Sequence, residues 1–292
     1  MPLSLNEINA LVSLLDDDDQ EVFQLVSNQL GSLGVDGIPV LEAAWEHIGE
    51  PIIQEKIEDI IQKIQFDNLK DLLSIWIKSG GENLLDGVIL VAKFQYPELD
   101  ESKIITQIDK IIQSVWIELN NGLTPLEEVR VINHVFFNLL AFHGDLEHPF
   151  EPNNGYINLV LDSKKGNSLI LGIIYSLVAK QLNIPIYGVN LPYHFILAYS
   201  PIDLAQNELG EIDIQEKILF YINPLNKGLV FSRAEISSYL ERSNIKSQEK
   251  YFNPSSNLEI VKALIYNQMN GYDQKGQKEK GKKWQVLYKL FD

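Results

Sequence analysis

The chain has 292 residues, of which 45% are hydrophobic and 10% aromatic, so it can bury a sizeable core without covalent cross-links. Its formal net charge of -16 argues against a nucleic-acid ligand, because binding a phosphate backbone requires a concentrated basic face. The sequence contains no cysteine, which excludes disulfides, thiolate catalysis and cysteine-bound metal sites. The longest apolar run, Leu169 to Val178, is too short to span a membrane, and the acidic N-terminus does not resemble a secretory signal, so we expect a cytoplasmic protein.

The first third of the chain predicts an all-helical region. A shift of 31 residues superposes six pairs of apolar positions, namely Val22 and Ile53, Val26 and Ile57, Leu30 and Ile61, Ile38 and Leu69, Leu41 and Leu72, and Trp45 and Trp76. Both copies are apolar at helical spacing, with predicted turns at Gly31 to Gly37 and Gln65 to Asn68. We interpret residues 1–122 as HEAT-like repeats in which Trp45 and Trp76 are equivalent buried positions. The alternative is an ordinary helical bundle.

Residues 123–242 mix helical and strand signals. Thr124-Pro125 is typical of an N-cap followed by a first-turn proline, and predicts a helix that runs to about Phe142. Ser232 with Glu235 three residues later predicts a capping box at the start of another helix. We therefore expect this region to form a domain of its own.

A central helix and a sheet are predicted between those two helices. The segment from Ser168 to Leu182 is apolar nearly all round, which is typical of a helix in the middle of a domain. Three β-rich runs follow it, Ile186 to Leu191, His194 to Tyr199 and Ile218 to Asn223, with an acidic loop from Ser200 to Glu216 before the last. Consecutive strands with short links predict an antiparallel sheet packed on the helix, which is an α+β architecture.

Residues 243–292 predict a helical tail that is polar and loosely held. One amphipathic helix is indicated by the apolar positions Leu258, Val261, Leu264 and Ile265. The stretch from Gly271 to Gly281 is lysine-rich and expected to be mobile. Six lysines between Lys275 and Lys289 form the only basic concentration of the chain, and the favoured interpretation is a solvated face, the alternative being a patch for an acidic partner.

Three polar residues occur in the same order along the chain as the nucleophile, the histidine and the orienting residue of a thiol enzyme. Ser168 begins the central helix, whose free amides and positive dipole end would lower the pKa of a nucleophile and stabilise an oxyanion. His194 opens a strand where a general base would lie, and Asn223 ends the next strand, where an amide would orient the imidazole ring. Each has a structural alternative. Ser168 or Asn167 caps the helix, His194 is a satisfied structural histidine, and Asn223 opens a turn.

A histidine cluster offers weaker chemistry. Three histidines and three nearby acids could in principle hold a metal ion, namely His134, His143, His148, Asp145, Glu147 and Glu151. The spacing from His143 to His148 is that of a turn and not of one helical face, so no metal site is predicted. Gly166 is isolated, so no phosphate-binding loop and no cofactor are predicted either.

The region from about 125 to 235 resembles the transglutaminase-like superfamily. The segments that carry the resemblance are Asn133 to Phe137, Asn158 to Asp162, Lys164 to Leu169, Asn183 to Pro185, Gly188 to Pro192, His194-Phe195 and Ile222 to Pro224. They are most similar to the SirB-type bacterial branch, whose domain also occurs in some eukaryotic F-box proteins. The resemblance implies a papain-like core and a Cys-His-Asp site at positions 168, 194 and 223, where this chain has serine, histidine and asparagine.

The resemblance implies the fold more strongly than the activity, since many members of this branch also lack the cysteine. A serine hydroxyl has a far higher pKa than a thiol, and a helix dipole worth about 1 kcal/mol does not close the gap. We therefore expect a non-catalytic protein that binds a protein or peptide partner, with no nucleic acid, membrane or cofactor. The alternatives are a weak serine-dependent hydrolase or acyltransferase that uses Ser168, His194 and Asn223, and a purely structural scaffold. We expect the three side chains to converge at the start of the central helix.

Overall fold

The computed structural model describes residues 5–17, 19–201 and 218–292. Their packing divides the chain into two compact units, one up to Ile75 and one from Trp76 onwards. Within the described residues, no helix is long and apolar enough to cross a membrane. The predicted acidic loop from Ser200 to Glu216 lies, apart from its first two residues, outside the described part of the chain.

The described residues of the first unit form helices joined by short turns, and none of them is in a strand. The unit contains α1 (Leu5–Ser13), α2 (Gln20–Gly31), α3 (Ile38–His47) and most of α4 (Pro51–Lys78). The carboxylate of Asp19 caps α2 by accepting a hydrogen bond from the backbone N–H of Glu21 at 2.8 Å. The core is formed by buried aliphatic side chains that recur at helical spacing, including Val12, Leu15, Val26, Leu30, Leu41 and Ile57.

The predicted turn from Gln65 to Asn68 is wrong, because α4 continues through it as one helix of 28 residues. The first copy of the predicted repeat is interrupted by three glycines between Gly31 and Gly37, which leave the backbone free to turn. The second copy has no glycine or proline between Ile52 and Lys78, so nothing in its backbone ends the helix. An apolar pattern alone did not reveal this difference.

The two tryptophans of the predicted repeat lie in different environments. Trp76 is buried, with 7% of its surface exposed, and its Nε1 donates to the carbonyl of Asn83 at 2.9 Å. Trp45 is only half-buried, and its Nε1 donates to the Glu58 carboxylate at 3.0 Å. The HEAT-like interpretation is therefore not confirmed.

The second unit contains eight further α-helices within its described residues. They are α5 (Leu84–Lys93), α6 (Glu101–Glu118), α7 (Pro125–Asn133), α8 (Ile157–Ser163), α9 (Ser168–Gln181), α10 (Arg233–Arg242), α11 (Asn257–Gln274) and α12 (Lys278–Tyr288). The predicted helix starts are confirmed, since capping boxes at Thr124 and Ser232 begin α7 and α10. After α7 the chain widens into a π-helix, His134–Leu139, before it turns.

A four-stranded antiparallel sheet stands beside α9. Its order is β3 (Ile186–Leu191), β4 (His194–Tyr199), β5 (Phe220–Asn223) and β6 (Leu229–Phe231), preceded in the chain by a short parallel pair, β1 (His143–Gly144) with β2 (Lys165–Gly166). In the register of β3 with β4, Leu191 lies opposite His194. The α+β class is therefore confirmed.

The central helix α9 packs directly on β3 and β4. Ten of its fourteen residues are buried, as the lack of a polar stripe in its sequence predicts. The approach is close at Gly172, where an added Cβ would lie 2.5 Å from the ring of Phe195. The helix and the first residues of β4 are therefore held at a short, fixed separation.

The C-terminal segment is packed and not loose. The Trp284 side chain of α12 is fully buried, and its ring centroid lies 4.0 Å from that of Phe94. In α11, the Tyr272 hydroxyl lies 3.0 Å from the buried hydroxyl of Tyr156. Only Lys275 to Gln277 separates the two helices, so the expectation of a mobile stretch from Gly271 to Gly281 was wrong. Because Trp284 is surrounded by lysines in the sequence, the sequence pattern did not reveal the apolar face of α12.

Candidate functional site

The start of α9 is fixed by backbone and side-chain hydrogen bonds. β2 precedes it and pairs with β1, and the N–H of Asn167 donates to the carbonyl of Asn154 at 2.9 Å. The side-chain oxygen of Asn167 then accepts from the N–H of Ile170 at 3.0 Å. Asn167, and not Ser168, is therefore the N-cap of the helix, which is one of the two caps that the sequence allowed.

Ser168 is half-buried at the first position of α9. Its Oγ accepts a hydrogen bond from the backbone N–H of Phe195 at 3.3 Å. Phe195 directly follows His194 in β4, so the serine stands at the start of the strand that carries the histidine. The contact is with the strand's backbone and not with the imidazole ring.

His194 is exposed and its ring lies toward α10. The ring centroids of His194 and Tyr239 are 5.2 Å apart, in an edge-to-face arrangement. Burial of part of the ring lowers the pKa of His194 below its usual value, which favours the neutral imidazole at pH 7.

Asn223 ends β5 and opens a turn. Its side-chain oxygen accepts from the N–H of Leu225 at 3.0 Å and from that of Asn226 at 3.2 Å. This is the structural role that the sequence offered as an alternative to orienting the histidine. In the described part of the chain, no hydrogen bond joins the side chains of Ser168, His194 and Asn223, so their convergence stays a prediction.

Asp145 is a buried acid beside the helix start, which the sequence treated only as part of a histidine cluster. Its carboxylate accepts from Lys165 at 2.8 Å, from Asn154 at 3.1 Å and from the backbone N–H of His148 at 3.1 Å. The hydrogen bond from Lys165 is the main reason that the pKa of Asp145 lies far below its usual value. Among the described residues, no group of three His, Cys, Asp or Glu side chains could hold a metal ion.

Two residues of α11 also make polar contacts near the start of α9, and no sequence signal predicted either of them. The Asn167 side chain donates to the side-chain oxygen of Asn267 at 2.9 Å. Gln268 is fully buried and donates to the carbonyl of Pro152 at 3.0 Å. Because α11 lies about a hundred residues further along the chain, only the folded arrangement reveals these contacts.

Asn133 holds the turn that carries Asn223. Its side-chain oxygen accepts from the Tyr175 hydroxyl at 3.1 Å, and its amide group donates to the carbonyl of Gly228 at 2.9 Å. Gly228 has a φ of +71°, and an added Cβ there would overlap the Asn133 side chain. Glycine is therefore required at this position both for the backbone angle and for the space.

Tyr193 is the most exposed of the large side chains beside the site, with 90% of its surface accessible. It forms the β3–β4 turn with Pro192, and its φ of 63° lies in the region that disfavours side chains. The Tyr239 hydroxyl donates to the carbonyl of Pro192 at 2.9 Å and so supports the turn. A proline followed by a residue with a positive φ is typical of a type II turn. The Pro-Tyr pair between two predicted strands is therefore the sequence signal that could have indicated this turn.

A buried helix packs on an antiparallel sheet, with Ser168 at the start of the helix and His194 at the start of a strand, so the protein has an α+β fold. The family model of the transglutaminase-like superfamily matches residues 102–265. The chain therefore belongs to the transglutaminase-like superfamily.

The curated relatives include bacterial and eukaryotic proteins. The chain is 31% identical over 121 residues to a UPF0162 protein of Xylella fastidiosa (strain Temecula1), which covers 41% of this chain and 42% of that protein. It is 29% identical over 98 residues to UPF0162 protein PM0557 of Pasteurella multocida, covering 34% and 37%. Human F-box only protein 21 is 27% identical over 169 residues, which is 50% of this chain and 26% of that protein.

The match spans about two fifths of the length of these bacterial relatives. The modest identity to these UPF0162 proteins supports placing the chain in the bacterial branch of the superfamily. No solved structure matches the chain.

Proposed function

We propose that this protein is a non-catalytic, cytoplasmic member of the transglutaminase-like superfamily that acts as a protein- or peptide-binding module. The observation that carries the proposal is the hydrogen bond from the N–H of Phe195 to the Ser168 hydroxyl. It gives the serine a structural role, which is to tie the start of α9 to the start of β4. Residues 123–242 are the proposed extent of the transglutaminase-like domain.

The chemistry of the three candidate positions supports this proposal. A serine becomes a nucleophile only when a well-held base takes its proton. The His194 ring contacts Tyr239, and the side-chain oxygen of Asn223 is occupied by two backbone N–H groups. An asparagine also supplies no negative charge to stabilise an imidazolium, which further weakens a serine mechanism.

The surface beside these residues is suited to binding. The exposed Tyr193 ring is held on a rigid two-residue turn, next to the exposed His194. Tyrosine provides a large contact area with few rotatable bonds, and it is over-represented among the residues that dominate protein interfaces. A partner that covers this turn would bury Tyr193 at little cost in conformational entropy.

The second candidate function is a weak serine-dependent hydrolase or acyltransferase that uses Ser168, His194 and Asn223. One observation favours it. The lowered pKa of His194 keeps its imidazole neutral at pH 7, which is the form that a general base requires.

Chemical labelling distinguishes the two functions. The native chain is treated with a fluorophosphonate, and a Ser168→Cys variant is treated with iodoacetamide across a range of pH. We expect no fluorophosphonate labelling of native Ser168, but alkylation of the new thiol with a pKa below that of an ordinary cysteine, because the helix dipole stabilises the thiolate. A Ser163→Cys variant is the matched control, since Ser163 is exposed and lies at the end of a helix.

The pH midpoint of alkylation, and not its rate, is compared between the two cysteine variants, because the midpoint does not depend on access. Fluorophosphonate labelling of native Ser168 that disappears in His194→Ala would contradict the non-catalytic function and support the hydrolase.

A further inference from the structure

We propose that a groove in the first unit binds an amphipathic helix of a partner protein whose polar edge carries lysine and arginine. This inference rests on the proposed function, because it assigns a partner class to a binding module. It concerns a different surface from the Ser168 region, so the two can fail separately.

The negative charge of the protein is concentrated in the first unit. Residues 1–75 contain fifteen Asp and Glu but only three Lys and no Arg, a net charge of -12 out of the -16 of the whole chain. Two of the three lysines have partners within the unit, since Lys56 donates to the carbonyl of Leu15 at 2.6 Å and Lys70 pairs with Asp67 at 3.2 Å. The unit therefore attracts cationic partners and repels nucleic acid and anionic surfaces.

A groove of about 740 Å³ opens between α1, α3 and the start of α4. Its lining consists of Val12, Ser13, Asp16, Val40, Ala43, Ala44, His47, Ile48, Gly49, Glu50 and Ile53. The lining is mainly apolar, and it includes the core side chains of Val12, Ala44 and Ile53, which are less than 10% exposed. Two carboxylates, from Asp16 and Glu50, belong to the lining, and none of its described residues is a lysine or arginine.

The combination of an apolar floor and acidic groups favours one mode of recognition. Helix-in-groove binding places apolar side chains at i, i+3, i+4 and i+7 into a hydrophobic groove and leaves charged residues at its edges. The described residues of this unit contain no strand, so a partner could not bind by adding a strand to a sheet edge. Neither Asp16 nor Glu50 is in an ion pair with another described residue, so both can pair with a lysine or arginine of a partner.

A synthetic peptide tests the proposal on the full-length chain. The probe is a fluorescein-labelled peptide of about fourteen residues with leucines at i, i+3, i+4 and i+7 and lysine or arginine elsewhere, and its binding is measured by fluorescence anisotropy. A peptide in which glutamate replaces every basic residue is compared with it. We expect only the basic peptide to bind, with an affinity that falls as salt is added.

Matched variants locate the binding site. The double variant Asp16→Asn, Glu50→Gln is expected to bind the basic peptide about fivefold more weakly, since two partly exposed ion pairs are lost. The double variant Asp67→Asn, Asp71→Asn removes the same charge from a second cavity of the same unit, so its affinity is expected to change by less than about twofold. Equal losses in both double variants would show diffuse attraction and overturn the proposal.

A third variant tests the groove without changing any charge. Ala43 is exposed and lines the groove, so Ala43→Trp is expected to fill it and to weaken peptide binding by more than about tenfold while circular dichroism shows the same helix content. Unchanged binding would overturn the proposal. A dimer of the native chain in sedimentation that Ala43→Trp dissociates would assign the groove to a second copy, which also overturns it.

Discussion

At the scale of single residues, Asp145 fixes the start of the central helix. Its carboxylate joins the loop after β1 to Lys165 in β2, three residues before Ser168. Its backbone N–H also donates to the carbonyl of Gly166 at 3.1 Å. A buried carboxylate with three hydrogen-bond donors is stable only in its ionised form, so this connection depends on pH.

We predict that Asp145→Asn lowers the free energy of unfolding by about 2 kcal/mol at pH 7, because hydrogen bonds to a charged group are lost. The folded-state pKa is depressed, so this stability is fully present above the unfolded pKa of about 3.9 and is lost as pH falls further. Urea unfolding followed by circular dichroism at pH 7, 5 and 3 should show the same deficit at the first two values and a smaller one at pH 3.

The control for this prediction is Glu147→Gln, an exposed acid on the same loop. It should change the unfolding free energy by less than about 0.5 kcal/mol. If Asp145→Asn unfolds at the same urea concentration as the native chain at pH 7, the carboxylate does not hold the helix start.

At the scale of elements, the β3–β4 turn stores backbone strain at its exposed tip. A left-handed conformation costs a residue with a side chain roughly 1–2 kcal/mol, and Tyr193 recovers little of that through burial. The strain at Tyr193 is therefore not offset by burial of its ring.

We predict that Tyr193→Gly raises the free energy of unfolding by about 1 kcal/mol, because glycine adopts a positive φ without steric cost. Tyr193→Ala removes the same ring but keeps the strained backbone, so it should leave the stability close to that of the native chain. Urea unfolding of the three proteins makes the comparison. A glycine variant no more stable than the alanine variant would show that the turn is not strained.

The sequence predicted those elements whose ends carry local chemical signals. The capping residues at Thr124 and Ser232 predicted helix starts, and β-rich runs separated by Pro192 predicted β3 and β4 at their observed bounds. The prediction was wrong for α4, whose second half was taken for a separate helix. Only the absence of glycine and proline indicates that this helix continues. The sequence predicted a helical tail but not the packing of α12, where a single buried tryptophan lies among lysines.

The candidate site was predicted only as a set of positions. Chain order predicted that Ser168 begins a helix and that His194 begins a strand, which the structure shows. Which atoms meet there depends on packing. The contact between Ser168 and the N–H of Phe195, and that between Asn167 and Asn267, join residues 27 and 100 positions apart. No local pattern in the sequence encodes such pairs.

At the scale of the whole molecule, charge is distributed unevenly between the two units. The residues up to 75 carry -12, and the remaining 217 residues carry -4. Like charges on a compact unit repel one another and reduce its stability, and dissolved salt screens this repulsion. The two units should therefore differ in their response to ionic strength.

We predict that raising NaCl from 10 mM to 1 M increases amide protection in the first unit more than in the second, because the Debye length falls from about 30 Å to about 3 Å. Hydrogen exchange of the full chain measures both units in one sample, and the buried segments around Val26 and Ile173 are suitable reporters. The second unit is the internal control. An equal gain in both segments would contradict the prediction.

The contact between Asn133 and Gly228 limits how the sequence can change over evolutionary time. The two positions lie 95 residues apart, yet the space that a side chain at 228 would need is filled by the amide at 133. A side chain at 228 would therefore need a smaller residue at 133 and would still be strained by the positive φ, and the loss of Asn133 in turn releases the Tyr175 hydroxyl. Mutations at these positions can be accepted only in a particular order, so the history of one site determines which residues the other can tolerate.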